Sequence, residues 1–292
     1  MRLHEPAAPH AGSAEPIPTE TSAAEPQERR TGPLAALMDF CAKTATIAEW
    51  EVRKLRHDPT DIITRTVQPL LWLLIFGEVF TRIRAIQMGN RSYLDFIAPG
   101  ILAQSVLFLS IFSGIAVVWE RDLGVIHKFL ASPAPRAALV LGKALSSGIR
   151  ALPQAAIIYV LALILGVQMN WNPLALLGVV VLTMLGAACF STFSILIACL
   201  LKSRDRVMGI GQVLTMPLFF ASNAIYPIAI MPAWLRVVAS VNPLSYQVDA
   251  LRTLMLAGGA ITWGIGLDIG VLLVVATALI VIGARVYPQL VQ

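Results

Sequence analysis

Residues 174–201 read LALLGVVVLTMLGAACFSTFSILIACLL, a run without a single charged side chain. A bilayer crossing needs about 20 predominantly apolar residues, so this run is long enough to span with some tilt. It ends sharply on both sides, at Asn170-Trp171-Asn172-Pro173 before it and at Lys202-Ser203-Arg204-Asp205-Arg206 after it. Working outward, comparable apolar runs occupy about 62–84, 96–118, 144–167 and 261–286. One more begins near 207 and is broken by Pro217, Asn223, Tyr226 and Pro227. Such breaks are tolerated at membrane depth only where protein or water satisfies the freed backbone groups. The fold expected is all-α: a polytopic membrane protein with six transmembrane helices.

Composition agrees. The chain is 57% apolar and 13% charged, with mean hydropathy +0.74, whereas a soluble domain carries about 25% charge. The formal net charge is +5, but the basic residues are scattered between apolar spans instead of forming one stripe. That distribution speaks for orientation in a bilayer and against a nucleic-acid partner. With the N-terminus inside, Lys and Arg divide 17 inside against 5 outside (Arg82, Arg84, Arg91, Arg236, Arg252). Trp119 then falls at the inner interface, and Trp171, Trp234 and Trp263 at the outer one. Both termini are expected in the cytoplasm, with the chain in the plasma or inner membrane. Cys41, Cys189 and Cys199 have no paired spacing and read as small apolar residues.

Residues 1–32 are rich in Ala, Pro, Glu, Ser and Thr and are expected to be a disordered cytoplasmic tail. Over 33–57, Leu34, Leu37, Met38, Cys41, Ala45, Ala48, Val52 and Leu55 recur at helical steps, which predicts an interfacial amphipathic helix. Residues 58–292 would form the six-span domain. Arg150, Glu78 and Asp268 fall within about two turns of a predicted span end, so snorkelling or an interfacial salt bridge is expected of them. Near the end of the chain, Asn242-Pro243 reads as an N-cap followed by Pro at the first helical position, and Gly258-Gly259 as the stop. A helix of that length is too short to span and is expected as an extracellular re-entrant or interfacial hairpin before the last span.

The longest charged interruption lies at 119–136. On a helix from about 120 to 131, Leu123, Ile126, Phe129 and Leu130 make one apolar face, and Pro133 and Pro135 end it. Such a helix can lie flat in headgroups or insert into a groove on a cytoplasmic partner. No catalytic constellation accompanies it. Nor does the chain contain G-x-x-x-x-G-K-[ST], because Gly142-Lys143 is preceded by Ala137 where Gly is required. If transport is ATP-driven, the ATPase must be another chain.

Two motifs carry a family resemblance. The first is Glu120-Arg121-x-x-Gly124-x-x-x-Lys128-x-Leu130-x-Ser132-Pro133-x-x-Arg136, followed by Gly142-Lys143. The second is Pro217-Leu218-x-Phe220-x-Ser222-Asn223-x-x-Tyr226-Pro227, then Met231-Pro232-x-Trp234-Leu235 and Asn242-Pro243-Leu244-x-Tyr246-x-x-Asp249-x-Leu251-Arg252. In this order, over about 34–286, they resemble type-2 ABC exporter permeases, above all the daunorubicin-resistance-like and nodulation-type drug and lipid exporters. The resemblance implies a permease that exports an amphipathic drug, polyketide or lipid. It also implies a partner ABC ATP-binding subunit, which would carry the ATP and Mg, and a second permease copy or a sibling; no cofactor is expected in this chain. Glu120, Arg121, Gly124, Lys128, Leu130, Ser132, Pro133 and Arg136 would form the coupling helix. Asn223, Tyr226, Pro227, Asn242, Pro243, Tyr246, Asp249 and Arg252 would form an extracellular cap. The alternatives are an ion-coupled secondary carrier, disfavoured by the absence of a mid-depth acidic pair or an internal repeat, and a polysaccharide-export ABC permease.

Overall fold

The computed structural model describes residues 38, 42, 44–46, 49, 67–83, 92–124, 136–201, 203–259 and 262–287. The expected tail at 1–32 and most of the expected helix at 33–57 lie outside them. So do Lys128, Leu130, Ser132 and Pro133.

The described residues are helical, apart from turns and one isolated bridge between Met169 and Leu256. Helix α1 covers 67–83, with a π-helical stretch at Trp72–Gly77. Then follow α2 (Tyr93–Asp122), α3 (Arg136–Ile164), α4 (Pro173–Leu201), α5 (Arg204–Phe220), a 3-10 turn at Ile228–Ile230, α6 (Ala233–Val241), α7 (Pro243–Met255) and α8 (Ile265–Val286). Among the described residues four helices, α2, α3, α4 and α8, are long and apolar enough to cross a membrane. Helix α5 has 17 residues, about 25 Å of rise, less than a hydrocarbon core of about 30 Å.

The apolar run at 174–201 forms the centre of the molecule, since α4 packs on α2, α3, α5, α7 and α8. One of its hydroxyls serves these contacts directly: Ser194 Oγ donates to the Ile111 carbonyl of α2 and accepts from the Gly114 amide at 3.2 Å. Each helix start has a local cause. Ser92 and Asp95 form a capping box on α2, each accepting from the other's backbone N–H at 3.1 Å. Asn172 accepts from the Leu174 amide at 3.0 Å, with Pro173 first in α4.

Three expected boundaries move. Helix α2 runs through Asp122, so a separate helix does not begin at Glu120. Helix α3 starts at Arg136, eight positions before the expected 144, because the charge of Lys143 is neutralised inside the bundle by Glu120 at 2.5 Å. Helix α8 starts at Ile265, because the backbone N–H groups of Thr262 and Trp263 are held by Asp249. Asp268 also departs from expectation: it is fully buried, and neither carboxylate oxygen has a hydrogen-bond partner among the described residues, so it does not snorkel.

Candidate functional site

The predicted residues separate to opposite ends of the bundle. At one end α2 stops at Asp122, and Leu123 and Gly124 turn the chain outward. Gly124 has φ +72°, and a Cβ built there would meet nothing within 4 Å. Glycine is therefore needed for the left-handed turn, not for space. Its amide still donates to the Arg121 carbonyl at 2.9 Å, which finishes the helix.

Glu120 and Lys143 fasten this end of α2 to α3. Both are buried, and Nζ lies 2.5 Å from Oε2. A charge with no partner in that environment would cost several kcal/mol, so the two residues depend on each other. On the other flank, the Asp122 carboxylate sits between two guanidinium groups. Arg121 donates from Nε and Nη2 to Oδ1 at 3.1 and 2.8 Å. Arg204, the first residue of α5, donates from Nε to Oδ2 at 2.8 Å, and its Nη2 lies 2.7 Å from the same oxygen in an ion pair. The Arg204 guanidinium also lies over the Trp119 ring, 4.5 Å from its centroid. Three helices thus meet where the 125–135 connection leaves α2. Arg136, the other predicted residue that is described here, starts α3 and is exposed.

The opposite end holds the second group together. Asn242 accepts from the Leu244 amide at 3.0 Å and so caps α7. Its Nδ2 donates to the Leu218 and Ala221 carbonyls at 2.7 and 3.3 Å, satisfying the end of α5. Pro243 takes the first position of α7. The fully buried Asp249 accepts from the Thr262 amide at 2.9 Å, the Thr262 hydroxyl at 2.7 Å and the Trp263 amide at 3.1 Å. Arg252 Nη2 donates to the Asn223 carbonyl at 2.8 Å and the Phe96 carbonyl at 3.4 Å, with the guanidinium 3.8 Å from the Phe96 ring centroid. Burial pushes the Arg252 pKa down to about 10, against the opposing charge of Asp249, so it remains a cation at neutral pH. Tyr246 donates to the Ser240 carbonyl at 2.6 Å and stacks on Trp263. Tyr226 donates to the Phe220 carbonyl, and Pro227 precedes the 3-10 turn. This end is laced to α2 as well: Tyr93 donates to the Ile225 carbonyl at 2.9 Å. A Cβ on Gly100 would lie 2.3 Å from the Ala224 carbonyl oxygen, so only glycine allows this approach.

Sequence reasoning missed Trp119, Asp122 and Arg204 as one cluster, and Lys143 as the partner of Glu120. A lysine in an otherwise apolar helix was the available signal for the latter. At the far end Asp95 and Thr262 were missed. Asp95 joins α2 to the α3–α4 connection by accepting from the Gln168 amide at 3.1 Å. Among the described residues no group of three His, Cys, Asp or Glu could hold a metal ion. The two clusters offer mechanical fastening, not acid–base chemistry.

The family model for ABC-2 type transporters matches residues 43–256. A putative transport permease ycf38 from Cyanophora paradoxa is 30% identical over 204 residues, covering 69% of this chain and 70% of the relative. The daunorubicin resistance ABC transporter permease protein DrrB1 of Streptomyces coeruleorubidus is 27% identical over 229 residues, 78% of each chain. Nodulation protein J of Rhizobium leguminosarum bv. trifolii is 26% identical over 197 residues, covering 67% of this chain and 74% of the relative.

Proposed function

This chain belongs to the ABC-2 type transporter family, and from that premise we propose that it is the membrane-spanning subunit of an ATP-driven exporter. Helices α1 and α5 complete six spans, α5 with 17 residues at the short end of what can cross, and both termini lie in the cytoplasm. A separate ATP-binding subunit carries ATP and Mg and docks on the 125–135 connection together with Glu120, Arg121, Gly124 and Arg136. The α6–α7 hairpin closes the pathway on the outer side. The exposures of Trp119 at one end and of Trp171 and Trp234 at the other support a bundle that crosses the bilayer, as aromatic side chains favour both interfaces, while the distribution of Lys and Arg supports its orientation.

The observation that carries the reading is the buried Glu120–Lys143 ion pair. It ties together the two helices between which the 125–135 connection runs, so a force on that connection moves α2 and α3 together. The substrate is taken to be amphipathic, supported by relatives named for resistance to daunorubicin and doxorubicin. A second permease copy, or a sibling, is placed on the face shared by α1 and α5. There Trp72 of α1 meets Phe219 and Phe220 of α5 at 5.7 and 6.4 Å, and Ile75, Phe76, Val213 and Met216 are exposed. Lipid covers the remaining apolar faces.

The test is co-purification with a candidate ATP-binding subunit, followed by export from loaded vesicles. Export that needs hydrolysable ATP and the partner is expected. Export sustained by an ion gradient without ATP would point to a secondary carrier instead, and a polysaccharide cargo would overturn the substrate class.

A further inference from the structure

We propose that α5 is a rod that carries the stroke from the base of the 125–135 connection to the outer cap, engaged by the Arg204–Asp122 pair. This rests on the exporter reading above and names a positioning residue, Arg204, that the sequence motifs do not contain.

Helix α5 is fastened at both ends and lightly held between them. At its start, Arg204 donates from Nε to Asp122 at 2.8 Å, with Nη2 2.7 Å away in the ion pair, and lies over Trp119. Asp122 and Trp119 belong to the last turn of α2, immediately before the chain leaves for 125–135. At its end, the Leu218 and Ala221 carbonyls are held by Asn242 Nδ2, the residue that caps α7. Beyond it, the Asn223 carbonyl accepts from Arg252 of α7. Displacement of α5 is therefore delivered to the hairpin through Asn242 and Arg252.

Between the two ends, the buried residues of α5 are Val207, Gly211, Thr215 and Phe219. They recur every fourth position and form one narrow stripe. Val207 packs with Ile115 and Val118 of α2 and Ala198 of α4. Within this chain Met208 and Ile210 are exposed, and Val213 and Met216 lie on the face proposed above for the second permease copy. A helix seated on one narrow stripe can slide or pivot without unpacking a core, which is the requirement for shear motion. The opposite behaviour is built into α2 and α3, whose buried ion pair favours movement as one body.

An exposed ion pair is ordinarily worth about 0–1 kcal/mol, so Arg204 is not needed to hold the fold. Its hydrogen bond to Asp122 and its seat on Trp119 instead fix direction.

The experiment places a single cysteine at position 230 (Ile230→Cys), exposed in the 3-10 turn of the outer end, in a chain with Cys41, Cys189 and Cys199 replaced. The chain is assembled with its ATP-binding partner in vesicles, and maleimide labelling is read with and without Mg-ATP. In the parent complex the labelling rate is expected to change on adding ATP. With Arg204→Ala, association and ATP hydrolysis are retained, the ATP-dependent change in labelling is lost, and export falls by about fivefold or more. Arg204→Lys, which keeps a cation beside Asp122 and Trp119, restores part of both, which a loss of folding would not permit. Arg206→Ala, an exposed charge two positions along, leaves both unchanged. Full ATP-dependent labelling and export in Arg204→Ala would overturn the rod. Failure of the parent chain to bind any ATP-binding subunit would instead overturn the exporter reading, and the rod with it.

Discussion

Glu120 and Lys143 stand 23 residues apart in the chain and meet inside the bundle at 2.5 Å, closing the base of the 125–135 connection. Both positions belong to the first motif, but nothing in the sequence pairs them: one follows an apolar run and the other interrupts one. Their meeting defines the geometry from which that connection projects.

Breaking this pair from one side should destabilise the protein strongly. Glu120→Gln or Lys143→Met removes this ion pair while leaving the opposite charge buried, at a cost of up to about 3–5 kcal/mol. The thermal midpoint of the purified protein should fall clearly in each single variant. The double variant should recover much of the loss, since it removes both charges. Equal losses in singles and double would show that the pair acts otherwise.

Gly124 should tolerate substitution according to backbone preference alone. Its φ of +72° costs an L-residue about 1–2 kcal/mol, and nothing blocks a side chain there. Gly124→Val should reduce ATP-coupled export, whereas Gly124→Asn, which visits the left-handed region more readily, should retain most of it. Export that tracks side-chain volume instead would contradict this.

The far end should depend on Asp249 more than on any neighbouring side chain. Asp249→Ala deprives two backbone N–H groups and one hydroxyl of their acceptor, each worth about 1–3 kcal/mol if left buried and unpaired. Hydrogen exchange should accelerate at Thr262 and Trp263, with little change in α4. Unaltered exchange there would mean that water replaces the carboxylate.

Asn242→Ala should act at two places at once. It removes the α7 cap, worth about 1 kcal/mol, and releases the α5 carbonyls of Leu218 and Ala221. Faster exchange is expected at the start of α7, together with a changed response to ATP at the outer cap. Asn242→Asp should keep the cap and lose only the tie to α5, so the pair separates the two duties.

The apolar runs made the membrane class and the long helices readable, because a span declares itself through length and the absence of charge. Residues 174–201 became the central helix almost to the residue. Boundaries failed where a distant side chain intervened. Lys143 reads as a span limit until Glu120 is found beside it, and 262–264 reads as helix until Asp249 is seen holding its amides. The Asn242-Pro243 start was legible because capping is local. The Arg204–Asp122 contact was not, since its members are 82 positions apart and each resembles an ordinary solvated charge. Asp268 misled for a related reason: nearness to a helix end says nothing about which way the carboxylate faces.

The central claim is that a separate ATP-binding subunit acts on this chain through the 125–135 connection. Single photo-reactive residues placed across 125–135 in the assembled complex test it most directly, with adducts to the ATP-binding subunit as the readout. Adducts confined to this connection, with yields that change on adding Mg-ATP, are predicted. An intact, hydrolysing complex that forms no adduct from any of these positions would contradict it.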